Sequence, residues 1–217
     1  MTTHDKSSLH GLYAITDSLL CPSESLRNQV REALLGGARI IQYRDKNGNH
    51  QKCLSDATAL QRLCREYNAL LIINDNVKLA KQSGSDGVHL GRDDLSMAIA
   101  RDELGEKAII GISCYNRLEL AHQAAAAGAD YIALGRFFAS TIKPEAVQAD
   151  LKLLTDANKE FELPLVAIGG ITPENGASLI AAGADMLAVI HGIFGQPDIQ
   201  VASHSLCRLF ELEEKII

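Results

Sequence analysis

Eight short apolar runs, separated by amphipathic segments, constrain the fold of this chain more than any other feature of its sequence. The runs have the length of buried strands and span residues 12–16, 39–43, 70–74, 87–90, 108–113, 131–135, 165–169 and 186–190. The segments between them carry apolar residues at helical spacing, as Leu26, Val30, Ala33 and Leu34 do in the first. Strands that alternate with helices in this way are typical of an α/β fold with a parallel sheet.

A weak internal repeat indicates how the sheet is completed. Short glycine-containing turns precede the second, fourth, sixth and eighth strands, at GGARII (36–41), GSDGVHL (84–90), GADYIAL (128–134) and GADMLAV (183–189). Glycine suits the position that ends a helix before the next strand. Four such two-unit modules predict a single (β/α)8 TIM barrel domain over residues 1–217, a length near the lower end for that fold. An open, doubly wound sheet is the alternative, but no G-x-G-x-x-G turn accompanies the strands.

Composition and charge narrow the range of partners. The five cysteines form no C-x-x-C pair and no metal spacing, which favours reduced thiols and a cytoplasmic protein. The net charge of −6 argues against nucleic acid or an anionic membrane as a partner, so any bound anion must be held by locally placed cations. Neither a signal-peptide core nor an apolar run of about 20 residues is present. We therefore expect small-molecule partners, no nucleic acid and no membrane; a homo-oligomer is compatible with the sequence.

Polar residues collect where the predicted strands end, which in a barrel is the side that carries the active site. They are Gln42, Arg44 and Lys46 after the second strand, Asn74 and Asp75 after the third, Asp93 and Asp94 after the fourth, Ser113 at the fifth, Ser140, Thr141 and Lys143 after the sixth, Gly169 and Gly170 after the seventh, and His191 and Gly192 after the eighth. Side chains alternate along an extended chain, so Gln42, Arg44 and Lys46 share one face, with Tyr43 and Asp45 on the other.

Several of these residues also have a purely structural explanation. Asn74 or Asp75 suits the cap of the third helix, and Asp93 or Asp94 that of the fourth. Arg44 and Lys46 are compatible with a solvated strand end. His89, inside an apolar strand, is predicted to be a hydrogen-bonded core histidine without a chemical role. Thr172, a favourable N-cap residue, and Pro173, which suits the first helical turn, predict the start of the seventh helix.

The set of polar residues is more informative than its members. Asp75 and Asp94 follow adjacent strands, which in a sheet lie about 4.8 Å apart, and two carboxylates that close repel each other unless a cation lies between them. Mg²⁺ is usually held by one or two carboxylates and completes its shell with water and substrate phosphate oxygens. Three cationic side chains near the same barrel mouth, Arg44, Lys46 and Lys143, would bind further phosphate oxygens. The pattern predicts a magnesium-dependent diphosphate site.

A second anion site is predicted at the seventh and eighth strands. Barrels often bind a phosphate there through backbone N–H groups and a short helix. The segments IGGI (168–171) and HGIFG (191–195) supply glycines that let the backbone approach a ligand closely. Two anionic substrates in one barrel mouth indicate a coupling reaction.

Taken together, these segments resemble the thiamine-phosphate synthase family. The resemblance covers almost the whole chain, in the segments GLYAITD (11–17), QYRDK (42–46), IND (73–75), GVHLGRDD (87–94), GIS (111–113), GRFFASTIK (135–143), AIGGI (167–171) and LAVIHGIF (187–194). Each string is short, but their order and spacing are specific. The resemblance implies a transferase that joins 4-amino-2-methyl-5-(diphosphomethyl)pyrimidine to a thiazole phosphate. In such a reaction diphosphate leaves first, helped by Mg²⁺, and the thiazole nitrogen traps a pyrimidine methylene cation.

The resemblance also implies a role for each matching residue. Asp75 and Asp94 correspond to the Mg²⁺ ligands. Gln42, Arg44, Lys46, Asn74, Ser113 and Lys143 correspond to contacts with the pyrimidine diphosphate, and of these Arg44, Lys46, Ser113 and Lys143 are the expected catalytic residues. Ser140, Thr141, Ile142, Gly170, Ile190 and His191 fall where the thiazole phosphate is held.

The departures from the family pattern lie in the thiazole phosphate group. Ile142 stands where the family commonly has a hydroxyl residue, and Ile190-His191 stands where Val-Ser is frequent. Two other functions share much of the pattern. A thiazole tautomerase would use the same pocket for proton transfer without paired aspartates, and His191 is compatible with it. The second alternative function is that of a non-catalytic barrel that binds phosphate ligands. The paired aspartates and the cations favour the synthase.

Overall fold

In the computed structural model, which describes residues 9–91, 94, 96–139 and 148–213, eight parallel strands close into a barrel. The strands are β1 (Gly11–Ile15), β2 (Ile40–Tyr43), β3 (Leu70–Asn74), β4 (Gly87–Leu90), β5 (Ile109–Tyr115), β6 (Tyr131–Gly135), β7 (Leu165–Ile168) and β8 (Met186–Val189). The helices are α1 (Ser23–Leu35), α2 (His50–Glu66), α3 (Val77–Ser83), α4 (Met97–Leu104), α5 (Leu118–Ala126), α6 (Leu151–Glu160), α7 (Gly176–Ala181), α8 (His191–Phe194) and α9 (Ile199–Glu213). Because β8 pairs with β1, the predicted (β/α)8 barrel is confirmed and the open sheet is excluded.

The start of one helix differs from the prediction. Regular helix α7 begins at Gly176, whereas Thr172 and Pro173 were expected to open it. The side-chain oxygen of Asn175 accepts a hydrogen bond from the Thr172 N–H at 2.9 Å, which folds residues 172–175 into a turn ahead of the helix. The Thr172 carbonyl then accepts from the Gly176 N–H at 3.0 Å. A local side-chain bond to the backbone thus replaces the predicted cap.

The alternation of side chains along each strand divides the core into two layers. Residues such as Tyr13, Ile72 and Tyr131 fill the barrel interior, while their neighbours, such as Leu12 and Leu71, face the surrounding helices. In a strand successive side chains point to opposite faces, so an apolar run supplies both layers at once. None of the helices among the described residues is long and apolar enough to cross a membrane.

The repeated turns before β4, β6 and β8 each end in an aspartate that clamps the preceding strand. The aspartate N–H donates to the carbonyl of one residue there, and the aspartate carboxylate accepts from the N–H of that same residue. The pairs are Leu71 with Asp86, Ile110 with Asp130 and Leu165 with Asp185, with N–H to carboxylate distances of 2.7, 2.9 and 2.8 Å. These clamps lie at the amino ends of the strands, on the face of a barrel that serves stability.

Asp130 also forms an ion pair besides its bond to the strand, and its removal is expected to destabilise the barrel. Its carboxylate accepts from the Ile110 N–H and pairs with Arg101 at 2.7 Å, with both charged side chains largely buried. Replacing Asp130 with alanine should lower the free energy of unfolding by about 3 kcal/mol, because a buried N–H and a buried guanidinium both lose an acceptor. Asparagine should cost less, since its oxygen still accepts a hydrogen bond. Urea denaturation measures both variants. The exposed Asp102→Ala serves as the control, and equal stability of all three variants would contradict the clamp.

Candidate active site

A cavity of about 360 Å³ opens at the carboxyl ends of the strands, a size that suits a small-molecule ligand. Many residues predicted for the two substrate sites line it, namely Gln42, Arg44, Asn74, Ser113, Gly170, Ile190 and His191. Ser140, Thr141, Ile142 and Lys143 of the loop after β6 lie outside the described residues, as does Asp93. The closed barrel thus brings both predicted groups of residues to one cavity.

Arg44 is held at the cavity by residues that follow β1. Its backbone N–H donates to the Thr16 hydroxyl at 2.9 Å, and its guanidinium donates to the Asp17 carboxylate at 3.1 Å. The ion pair is mostly shielded from solvent, with 18% and 16% of the two side chains exposed. A guanidinium carries five N–H donors, more than this bond uses. Arg44 is therefore held in place at the cavity by Thr16 and Asp17 and is not a solvated strand end.

The residues that alternate with the cavity-facing row anchor this segment to α2. Tyr43 donates to Asp56 at 3.2 Å, and Lys52 bridges Asp45 and Asp56 at 2.6 and 3.2 Å. Burial alone would raise the pKa of Asp45, but the Lys52 ammonium and the N–H groups of residues 47 and 48 outweigh it, so this pKa lies below its ordinary value. Tyr43 and Asp45 thus point away from the cavity, as the alternation predicts, and fix the backbone that carries Arg44.

Asp75 and Asp94 form a carboxylate pair beside the cavity. The two groups are close enough to interact directly, and Lys46 lies 3.7 Å from Asp75. Partial burial, reinforced by the Asp94 carboxylate, raises the pKa of Asp75 above its ordinary value, while Lys46 acts in the opposite direction. The Asp94 carboxylate is itself fixed by the Gly91 N–H at 2.6 Å. The two carboxylates are thus held close together against their mutual repulsion.

Asp75 and Asp94 do not cap the helices that follow them. The cap of α3 is Asn76, whose side chain accepts from the Leu79 N–H at 2.9 Å. Ser96 caps α4 in the same way. Asp75 instead has a left-handed backbone, with φ of 61°, which is uncommon outside glycine. Such a conformation re-aims a side chain and recurs at functional sites.

The residues present fit a hard divalent cation such as Mg²⁺. Carboxylate oxygens are its preferred protein ligands, and one or two of them suffice when water and substrate phosphate complete the shell. Within the described ranges no group of three or more His, Cys, Asp or Glu side chains could hold a metal ion. Asp75 and Asp94 are the carboxylates that fit such a cation.

The glycines after β7 allow two segments of the chain to pack closely together. A Cβ atom on Gly169 would lie 2.2 Å from the Cβ of Arg136, and one on Gly170 would lie 2.2 Å from the Ala139 carbonyl oxygen. Both glycines also have positive φ, 108° and 63°. Glycine is needed at both positions because the segment after β6 packs directly on the segment after β7. The backbone still lines the cavity, but protein atoms occupy the space that the glycines leave.

Several cavity residues were missed or misjudged from the sequence, Tyr13 among them. Arg136 directly follows β6 and lines the cavity, so its place at a strand end was a usable signal. Tyr115 lies past an irregularity in the pairing of β5, with φ of 54° and 43% of its surface exposed. His89 is buried and hydrogen-bonded as predicted, but it also lines the cavity. Burial lowers the pKa of His89 to about 4, so its imidazole is neutral at physiological pH.

The fold and the site together define a class of protein. A cavity at the carboxyl ends of a (β/α)8 barrel is the active-site position of enzymes with this fold. Here it carries an oriented guanidinium, and beside it lie a carboxylate pair and a lysine. The chain is a (β/α)8-barrel enzyme whose active-site cavity is bordered by charged side chains.

Comparison with known proteins identifies the family. The family model described as thiamine monophosphate synthase matches residues 12–193, and the chain belongs to this family. It is 54% identical to the thiamine-phosphate synthase of Nitrosococcus oceani over 197 residues, which cover 91% of each chain. It is 51% identical to that of Saccharophagus degradans, with 92% of this chain and 93% of the relative covered. The predicted resemblance is confirmed, and the chain is a transferase of thiamine biosynthesis.

A solved structure agrees with this assignment. The thiamine phosphate pyrophosphorylase from Pyrococcus furiosus superposes on the chain with a TM-score of 0.88 at 35% identity. The superposition covers 96% of this chain and 98% of the other. The barrel and its connections are therefore shared along nearly the full length of both proteins.

Proposed function

We propose that this enzyme joins 4-amino-2-methyl-5-(diphosphomethyl)pyrimidine to a thiazole phosphate, giving thiamine phosphate and diphosphate. The observation that carries the proposal is the carboxylate pair of Asp75 and Asp94 with Lys46 at 3.7 Å, next to a cavity that Arg44 lines. A neutral substrate would need neither the cations nor the carboxylates. A diphosphate together with a divalent cation uses both.

Asp75 and Asp94 would hold the Mg²⁺. When bound, the ion supplies positive charge that stabilises the departing diphosphate. The Asp94 carboxylate accepts a hydrogen bond from the Gly91 N–H, and the Asp75 carboxylate lies 3.7 Å from the Lys46 ammonium. Little reorganisation is therefore needed when the substrate arrives, which is the condition for effective electrostatic stabilisation.

The side chains after β2 and β3 would bind the pyrimidine diphosphate. Arg44 offers a planar fork to phosphate oxygens, and Lys46 a mobile point charge. Lys143, by its match to the family, adds a further cation. Gln42, Asn74 and Ser113 line the cavity and offer amide and hydroxyl groups to the pyrimidine end. The substrate is thus held with its diphosphate toward the cations.

Gly170, Ile190 and His191 would form the thiazole phosphate site. These residues follow β7 and β8 and line the same cavity, where the short helix α8 begins at His191. Ser140, Thr141 and Ile142 join this group by their match to the family. Backbone N–H groups do not depend on side-chain identity, so the site tolerates Ile190 and His191 at positions where the family often has other residues.

The reaction proposed here is a substitution without a protein nucleophile. The bond between the pyrimidine methylene carbon and the diphosphate oxygen breaks, and its electron pair leaves with the diphosphate. The lone pair of the thiazole nitrogen then forms the new carbon–nitrogen bond. Ala133, Val166 and Ala188 give part of the cavity an apolar lining, which limits capture of the methylene cation by water.

Product formation with and without a divalent cation tests the proposal. The enzyme is mixed with both substrates in Mg²⁺ or in EDTA, and diphosphate and thiamine phosphate are measured together. We expect the two products in equal amounts, and only with Mg²⁺. Equal turnover in EDTA would refute the metal site. No product under either condition, with thiazole phosphate still bound, would refute the proposed reaction and favour a tautomerase or a phosphate-binding barrel.

A further inference from the structure

Five polar side chains form a continuous hydrogen-bonded chain through the barrel. The Gln42 side-chain nitrogen donates to the Tyr13 hydroxyl at 2.8 Å. The Tyr13 and Tyr131 hydroxyls lie 2.9 Å apart, and the Tyr131 hydroxyl lies 3.0 Å from Nδ1 of His89. Nε2 of His89 lies 2.9 Å from the Ser113 hydroxyl. These residues, called the relay below, come from five different strands, and both ends line the cavity.

The chemistry of the relay determines where each proton lies. Because Tyr13 accepts from Gln42, its own single proton is directed to Tyr131. In the arrangement that satisfies every pair, Tyr131 donates to Nδ1 of His89, which is then the unprotonated nitrogen. A neutral imidazole carries one proton, so that proton lies on Nε2 and is donated to the Ser113 oxygen. The hydroxyl proton of Ser113 is left to point into the cavity.

The surroundings of the relay keep it from rearranging. Tyr13 and Tyr131 are about 1% and 0% exposed, and the Tyr131 ring stacks against His89 with 5.6 Å between centroids. Glycine at position 111 makes this packing possible, since a Cβ there would lie 1.9 Å from the Tyr131 ring. Buried polar chains with every member paired are rigid, and each bond strengthens the next.

We propose that Tyr13, Tyr131 and His89 are positioning residues that make Ser113 a hydrogen-bond donor toward the substrate. The site then favours a ligand with an acceptor atom facing Ser113, and it disfavours one that presents a donor there. The identity of that ligand as the pyrimidine diphosphate rests on the proposed function. The arrangement of protons does not, because it follows from the protein alone.

The tautomer of His89 tests the proton arrangement without substrate. In the ¹⁵N NMR spectrum of the whole labelled protein, Nδ1 of His89 should show the shift of an unprotonated nitrogen and Nε2 that of a protonated one. Tyr131→Phe removes the donor to Nδ1 and should abolish this preference. A proton on Nδ1 in the unaltered protein would overturn the proposal, because Ser113 would then donate to His89. The measurement decides this even if the enzyme uses other substrates.

Two substitutions of His89 test the role in catalysis. The amide nitrogen of glutamine takes the place of Nε2, so His89→Gln keeps a donor to Ser113 and should retain most of the activity. The shorter His89→Asn reaches only the Nδ1 position and should lower kcat/KM about tenfold, the equivalent of one lost hydrogen bond. The exposed His122→Asn, on α5, is the matched control.

A double-mutant cycle separates positioning from loss of stability. If His89 acts through Ser113, then His89→Asn should have little further effect on kcat/KM once Ser113 is alanine. An undiminished tenfold loss in the Ser113→Ala background would show that His89 acts by another route and would overturn the proposal. The Tm of each variant, measured alongside, identifies any that simply fold poorly.

Discussion

Asp75→Asn is expected to lower kcat by roughly a hundredfold or more, the range seen when one charge-stabilising group is removed from an active site. The substitution keeps the size of the side chain and removes the charge that would hold Mg²⁺. It also leaves Lys46 without its partner at 3.7 Å. Initial rates of diphosphate release measured over a range of Mg²⁺ concentrations give both kcat and the apparent affinity for the ion.

The dependence on Mg²⁺ separates a metal ligand from a residue that only supports the fold. For a ligand, the concentration of Mg²⁺ at half-maximal rate should rise in Asp75→Asn. The control is Asp102→Asn, an exposed aspartate on α4 that should behave as the unaltered enzyme. An Asp75→Asn variant with normal turnover and an unchanged Mg²⁺ requirement would show that the aspartate pair does not hold the cation.

Arg44→Lys is expected to lower kcat/KM for the pyrimidine diphosphate by about ten- to a hundredfold. The change keeps the positive charge but replaces a planar fork by a single ammonium, which binds phosphate as a point charge. It also removes the guanidinium geometry that the Asp17 carboxylate orients at 3.1 Å. Loss of one or two charge-assisted hydrogen bonds accounts for an effect of this size. Steady-state kinetics with the pyrimidine diphosphate varied measure it.

Measuring KM of Arg44→Lys for the thiazole phosphate as well makes this test more specific. If Arg44 binds the diphosphate, KM for the thiazole phosphate should change little. Arg62→Lys, an exposed substitution on α2, is the matched control. Equal losses for both substrates would point to general disruption of the cavity, and no loss for either would show that charge alone, not the fork, is needed at this position.

The course of the chain was largely predictable from the sequence because the signals are local. All eight strands lie within two residues of the predicted runs, since a buried run of apolar residues depends only on its immediate neighbours. The repeated turns marked the ends of helices, although the sequence did not reveal that their aspartates clamp the preceding strand. The start of α7 was misplaced because the side chain of Asn175 competes for the Thr172 N–H.

The sequence predicted which strand ends carry polar residues, but not the geometry of the cavity. Of the polar residues predicted at the strand ends, Gln42, Arg44, Asn74, Ser113 and His191 line one cavity because the barrel closes, as the fold prediction implied. The structure shows why Gly169 and Gly170 are glycines, which their place after a strand did not. Their φ angles and the close approach of Arg136 and Ala139 depend on the packing of two distant segments.

The sequence by itself therefore determined the alternation of strands and helices, the family, and the chemical types of residue at the barrel mouth. These features follow from periodicity and from the order of short motifs along the chain. Only the tertiary structure decided the relay, because Tyr13 and Tyr131 are 118 residues apart and in sequence look like ordinary core positions of apolar strands. Hydrogen bonding depends on distance in space, and only closure of the barrel brings Tyr13, Tyr131 and His89 within reach of one another.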